Sequence, residues 1–449
     1  MTRREIMDLF EEQKVRTEER INSGIEQYRK GYAEINVVDA EGNPIKNAKI
    51  SVKQKGHEFR FGANLFMLDE LETDEKNEKY KKYFSEVFNI ATLPFYWDST
   101  EPQKGKTRYN KDSAPMYRRP PIDLCIEFCE KHGIEPREHA LAYEYFFPKW
   151  LYNAPVSEIK QAMEQRYKEI SDRYAKKIHT IEVYNEMDHR QGHTAIYDEP
   201  DFIEYSFKLA EKYFPTNQLV INEGPELSFL DRGHPTDKYY ANIEANLLKG
   251  ARIDAIGMQF HLFYWPKDTE YEKTRKTLNP DWIYHQLDMY ANFEKPLQIT
   301  EITVPAYSND AEDEALQAEI LEWLYSIWFS HPNVEQIIYW NMVDGYAYVP
   351  YDDPEKISKS QGDMTLGENK FHGGLLRFDL SPKPAYYSIQ NLINNKWRTN
   401  EEICTDSNGI ATFKGFYGDY EITVIADGKE IKNDISFRKK GNKNFEITV

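Results

Sequence analysis

Val183-Tyr184-Asn185-Glu186 closes one apolar, strand-like run of this 449-residue chain, and Gln298-Ile299-Thr300-Glu301 closes another. Runs of this kind are what strands buried on both faces look like, and each ends in a carboxylate. Six further runs share the pattern. In order, the eight cover residues 59–65, 86–93, 135–142, 178–185, 217–223, 252–261, 296–301 and 336–341, with helical stretches between them. Eight alternating strand and helix units predict a (β/α)8 barrel, whose active-site face is the C-terminal end of its strands. The chemically useful side chains sit at or just after those ends: Trp97, His139, Tyr143, Asn185, Glu186, Asn222, Glu223, Gln259, His261, Glu301, Trp340 and Tyr348.

Outside the barrel the pattern changes. Residues 4 to about 30 are polar and helix-favouring with a sparse apolar stripe, which predicts a helix docked on something larger. The segment Ala33 to Val52 alternates apolar and polar residues around a Gly42-Asn-Pro44 turn, and similar alternation returns after Trp397. Neither piece alone closes two faces. We therefore expect one small antiparallel β-sandwich assembled from both, and the division 1–32 (helix), 33–56 (β-domain), 57–396 (barrel) and 397–449 (β-domain).

Composition narrows the partners. A net charge of -18, with no run of Lys and Arg that could track phosphates, argues against nucleic acid. The 8 Trp, 32 Tyr and 24 Phe supply a large core and flat platforms for sugar rings. Cys125 and Cys129 lie one helical turn apart with no second Cys or His pair, so they are expected to be reduced core residues. No stretch is long enough to span a bilayer and the start has no apolar leader, so a cytoplasmic protein is expected, or a secreted one if a leader was trimmed. The run Glu186 to His193 carries a weak metal pattern in His189 and His193, but Gly192 and the missing local glutamate argue against it; neither metal nor cofactor is expected.

On this strand count Glu186 and Glu301 project from nearly opposite walls of the mouth. Such a pair can straddle one bond, one carboxyl protonating a glycosidic oxygen and the other attacking the anomeric carbon. Environment is expected to raise one pKa and hold the other low. Glu223 reads as an accessory hydrogen-bonding group, and Asn185 as a partner for a sugar hydroxyl. Gln259 and His261 alternate along the sixth strand and so share a side, from which His261 could orient the attacking carboxylate. Trp97, Tyr143, Trp340 and Tyr348 offer faces for pyranose rings, and His139 and Asn222 complete the expected substrate contacts.

These strings resemble glycoside hydrolase family 10, a family of retaining (β/α)8 enzymes rich in xylanases, over roughly residues 57 to 395. Val183-Tyr-Asn-Glu186 is similar to the family's Val-Val-Asn-Glu acid/base motif, and Ile299-Thr-Glu301 to its Ile-Thr-Glu nucleophile motif. Ile253-Asp-Ala-Ile-Gly-Met-Gln-Phe-His261 resembles Ile-Asp-Gly-Ile-Gly-Leu-Gln-Ser-His, the stretch Gly133 to Tyr143 resembles the Gly-His-Thr-Leu-Val-Trp strand, and Lys383-Pro-Ala-Tyr-Tyr387 resembles the barrel-closing Lys-Pro-Ala-Tyr. The resemblance implies an endo-β-1,4-xylanase-like retaining hydrolase of polysaccharide.

The departures fall on substrate contacts. Where the family has Asn-Glu-Met-Lys-Trp, this chain has Leu93-Pro-Phe-Tyr-Trp97; Tyr143 and Tyr348 stand for tryptophans, and Asn222-Glu-Gly-Pro225 for Asn-Asp-Tyr-Asn. Thr303 replaces an aspartate that would hold His261. A changed β-glycoside specificity, a decorated glycan, or a non-catalytic carbohydrate-binding barrel are the alternatives.

Overall fold

The chain's two ends meet beneath the barrel. In a computed structural model, residues 3–187, 192–224, 238–263, 268–351, 353–426 and 428–449 are described. A short 3-10 turn, Arg3–Met7, leads into the helix Asp8–Tyr28. That helix docks through its small residue: a Cβ on Gly24 would stand 2.4 Å from the Ser330 carbonyl oxygen.

Strands β1 (Lys30–Val38) and β2 (Lys49–His57) then separate into different sheets. The C-terminal strands are β11 (Asn400–Cys404), β12 (Ile410–Phe416), β13 (Gly418–Ala426), β14 (Lys429–Phe437) and β15 (Asn444–Thr448). One sheet runs β12-β1-β15 and the other β11-β2-β13-β14. Each N-terminal strand is thus internal to a sheet otherwise built from the far end of the chain, which is why neither segment reads as a domain alone. All pairings are antiparallel save β1 with β15, which is parallel. Period-two alternation delivers Ala33, Ile35 and Val37 from β1 and Tyr420, Ile422 and Val424 from β13 to the shared core.

The barrel strands are β3 (Arg60–Asn64), β4 (Ile90–Pro94), β5 (Glu135–His139), β6 (Thr180–Asn185), β7 (Gln218–Glu223), β8 (Ala255–His261), β9 (Leu297–Thr303) and β10 (Val334–Tyr339). They pair in parallel in chain order and close between β10 and β3. The expected 86–93 run starts late, because residues after the helix Asp74–Ser85 form a turn before Ile90. Local rules set the helix ends: Thr73 caps Asp74–Ser85 by accepting from the Lys76 N–H, and Gly133, at φ 65, stops Ile122–His132. Cys125 and Cys129 on the latter helix are buried and free. Among the described residues no helix is long and apolar enough to cross a membrane.

Candidate active site

Two β-bulges aim the chemistry. On β6, Glu182 pairs with Val220 but Tyr184 with Ile221, an extra residue that lets both Glu182 and Asn185 face the barrel interior while Tyr184 packs outward on Tyr197 and Phe202. On β9, Ile299 opposes Met258 but Glu301 opposes Gln259, so Thr300 and Glu301 both point inward. Strict alternation from Gln298 would have put Glu301 on the helix side.

A polar net holds these groups. The Asn222 amide nitrogen donates to Glu182 Oε1 (3.2 Å), Asn185 Oδ1 (3.0 Å) and Glu301 Oε1 (3.2 Å), while its Oδ1 accepts from the Thr300 hydroxyl (2.7 Å), which orients the amide. Asn222 lies over Gly257, where a Cβ would approach its Oδ1 to 2.4 Å; glycine is required there. The Gln259 amide nitrogen reaches both carboxylates, Glu186 Oε1 at 3.2 Å and Glu301 Oε1 at 3.0 Å. These two oxygens therefore lie at most about 6 Å apart, inside the separation of about 6.5–9.5 Å at which a water fits between carboxyls.

The carboxylates stand in different surroundings. Burial pushes Glu301 up to about 8, Glu186 and Glu182 adding to the shift and His139 and Arg137 opposing it. Burial also pushes Glu182 up, but His139 at 2.8 Å and Arg137 at 2.5 Å outweigh it and leave the group below 4.5. Glu186, at φ 51, occupies left-handed backbone and is only half-buried; its Oε2 accepts from the Tyr143 hydroxyl at 2.6 Å. Burial and the Glu186 charge raise Tyr143 well above 10, so it stays a donor. The raised carboxyl is thus Glu301 on the seventh barrel strand, the one the resemblance casts as nucleophile.

His261 faces Glu301 Oε2 at 3.3 Å through Nε2, and Thr303 Oγ1 meets its Nδ1 at 2.9 Å. Burial lowers His261 to about 4, so the ring is neutral. A hydroxyl can donate to Nδ1 as an aspartate cannot, and this leaves Nε2–H free to donate to Glu301.

The other expected residues divide. Trp340 packs on Phe66, His139 and His261 at the mouth, and Tyr348 bonds the Tyr145 hydroxyl at 2.6 Å. Glu223 is buried and accepts from the Gly224 N–H. His139 is 1% exposed, locked between Glu182 and the Tyr96 hydroxyl, and so positions other groups rather than lining the cleft. Trp97 is a correction: it is buried against Phe147 and Trp150, with its Nε1 donating to Glu101, because the short helix Trp97–Thr100 turns it into the wall. Its neighbour Tyr96 faces the mouth instead. Of the candidate metal pair, His189 lies outside the described residues, and His193 stacks on Tyr152; among the described residues no three His, Cys, Asp or Glu side chains could hold a metal ion. Sequence reasoning missed Glu182, Arg137 and Tyr96. An acid and a base inside otherwise apolar strands was the available signal.

The profile of Glycosyl hydrolase family 10 matches residues 49–391. The chain belongs to that family. Relatives include the anti-sigma-I factor RsgI6 of Acetivibrio thermocellus, 25% identical over 95% of this chain, and endo-1,4-beta-xylanase 2 of Arabidopsis thaliana, 23% identical over 90%. The family 10 chain spans only 49% of the first and 33% of the second. Its fold is similar to that of xylanase 10B from Thermotoga petrophila RKU-1 in complex with xylobiose, with a TM-score of 0.58 at 21% identity, covering 76% of this chain and 95% of that one.

Proposed function

We propose that this protein is a retaining β-glycoside hydrolase of the endo-β-1,4-xylanase kind, acting on a plant-type polysaccharide or oligosaccharide. The observation that carries the reading is the Gln259 amide bonded to both Glu186 and Glu301, which brings an oxygen of each within about 6 Å and supports the close pairing that double displacement uses. Family membership and the xylanases among its relatives support the substrate class.

Glu186 delivers a proton to the leaving oxygen while Glu301 attacks the anomeric carbon and forms a glycosyl-enzyme. Glu186 then takes a proton from the water that releases the sugar. The pair needs one proton, and in the free protein burial favours placing it on Glu301. A bound sugar covers the half-exposed Glu186 and removes its water, while positive charge developing at the anomeric carbon favours an ionised Glu301. The amides of Asn222 and Gln259 already donate to that carboxylate.

Wild type and Glu301→Gln should be tested against aryl β-xylosides, aryl β-glucosides and plant polysaccharides, with products weighed by mass spectrometry. Wild type is expected to cleave and the variant to lose about 10⁴-fold or more in kcat; substantial turnover by the variant would refute the assignment. A binding-only reading draws on the relative named as an anti-sigma factor rather than an enzyme. Tight glycan binding by wild type with no hydrolysis at any pH would select it.

A further inference from the structure

Beside the catalytic pair stands a cationic wall that a neutral xylan does not call for. The loop Met116-Tyr-Arg-Arg-Pro-Pro121 follows β4 and crosses the mouth. Its side chains tie it across the mouth: the Tyr117 hydroxyl donates to the Ala347 carbonyl, and the guanidinium of Arg118, buried and at φ 59, donates to the Asn341 side chain and the Tyr346 carbonyl. Asn341 also occupies left-handed backbone, at φ 68. Two left-handed residues bonded to each other are held there by their surroundings, and such strain collects at ligand sites.

The neighbouring Arg119 places its guanidinium over the Tyr96 ring, 4.0 Å from the centroid, with Phe146 at 4.9 Å and Phe66 at 5.6 Å. Among the described residues its guanidinium makes one hydrogen bond, from Nη1 to the Arg118 carbonyl oxygen. Among the described residues neither guanidinium is paired with a carboxylate. Glu368 accepts from Asn341, and the charge of the buried Asp98 acts on Arg119 without an ion pair between them. Arg119 is half-buried, so part of it meets solvent.

Stacking fixes the plane of a guanidinium and turns its N–H edge outward, the geometry that takes a carboxylate through two parallel bonds. The same wall carries Phe146, a half-buried ring with a face left for a sugar. It is close to the chemistry, since Tyr96 and Tyr143 are 6.0 Å apart by ring centroid and Tyr143 bonds Glu186.

We propose that this wall is a subsite for a uronic acid, its carboxylate received by Arg119 and its ring by Phe146, so that the preferred substrate is an acidic glycan. The proposal rests on the glycoside-binding reading of the mouth and names its substrate class.

The test compares two acidic probes, a xylo-oligosaccharide bearing a glucuronate branch and a β-1,4-linked glucuronate oligosaccharide, each with its carboxyl-reduced twin of the same shape and no charge. Binding is measured by calorimetry on Glu301→Gln protein, and hydrolysis on wild type. At least one acidic probe should bind about tenfold or more tightly than its twin, a preference that falls as salt rises. Arg119→Gln, added to either protein, should bring the ratio near one, and Arg119→Lys should keep part of it; a melting curve checks that each variant folds. Equal binding of acid and twin for both probes, or a preference that Arg119→Gln leaves intact, overturns the proposal. Hydrolysis of neutral xylan with no acid preference would sink the subsite and leave the glycosidase standing. A preference in binding with no hydrolysis of any probe would do the reverse.

Discussion

The mouth of the barrel and the seam beneath it both bury ionisable groups, yet they treat them in opposite ways. At the seam, where barrel and two-sheet domain meet, His57 sits among Phe61, Phe329 and Phe416 with Nε2 facing the Ile393 carbonyl. Arg29, which burial lowers to about 9, gives its hydrogens to the carbonyls of Phe329, His331 and Val334. Trp397 stacks on Phe61 and Phe329, joining the two domains through rings. His57 and Arg29 there each bond a neutral carbonyl, and Arg60 at the same seam is paired with Glu135. The mouth instead gathers Glu182, Glu186 and Glu301 around shared amides, so that like charges face one another where water is scarce. A site that must move protons is built from groups the fold would sooner not bury.

The largest effect that would break this contrast is at the seam. Trp397→Ala should cost about 3–5 kcal/mol of stability, read by denaturant unfolding, with kcat of the folded fraction unchanged. A small cost there would mean the two domains stand independently.

The mouth should show the opposite sign. Glu301 holds a proton up to about 8 when folded, while an unfolded glutamate releases it near 4.5. Between those values the unfolded chain binds fewer protons, so this group makes stability fall as pH rises. Glu301→Gln should therefore be more stable than wild type by about 2 kcal/mol or more at pH 8, and no more stable at pH 4. A variant destabilised at pH 8 would show that the carboxylate is well paired after all.

On the acid side the two regions should act together. His261 and His57 stay neutral down to about 4 and about 3, while unfolded histidines take up protons below about 6.5. Stability should drop as pH falls from 6.5, by up to about 3 kcal/mol for His261 and about 5 kcal/mol for His57. His57→Gln should flatten that limb without changing the pH profile of kcat, and His261→Gln should alter both; equal effects on kcat would erase the distinction between seam and mouth.

The smallest predicted change sharpens the mouth itself. Tyr143→Phe removes the 2.6 Å bond to Glu186 and should lower kcat/KM about tenfold. An unchanged kcat/KM would reduce Tyr143 to packing.

Much of this molecule was legible in its residues. Apolar runs ending in Asn185-Glu186 and Glu301 announce buried strands with carboxylates at their ends, because a parallel strand covered on both faces must be apolar until it emerges. Alternation at both termini announced a two-sheet domain for the same local reason. Which way an end residue points was not legible. The bulges at Glu182–Tyr184 and before Glu301 add one residue against a neighbouring strand, and only the pairing shows the phase they reset. Nor could spacing tell that Tyr96 rather than Trp97 faces the mouth, or that Arg119 lies over a ring from a different loop segment. Periodicity is a property of one strand and is written in its own residues; a site is a set of contacts between residues far apart in the chain, and tertiary packing alone decides which of them meet.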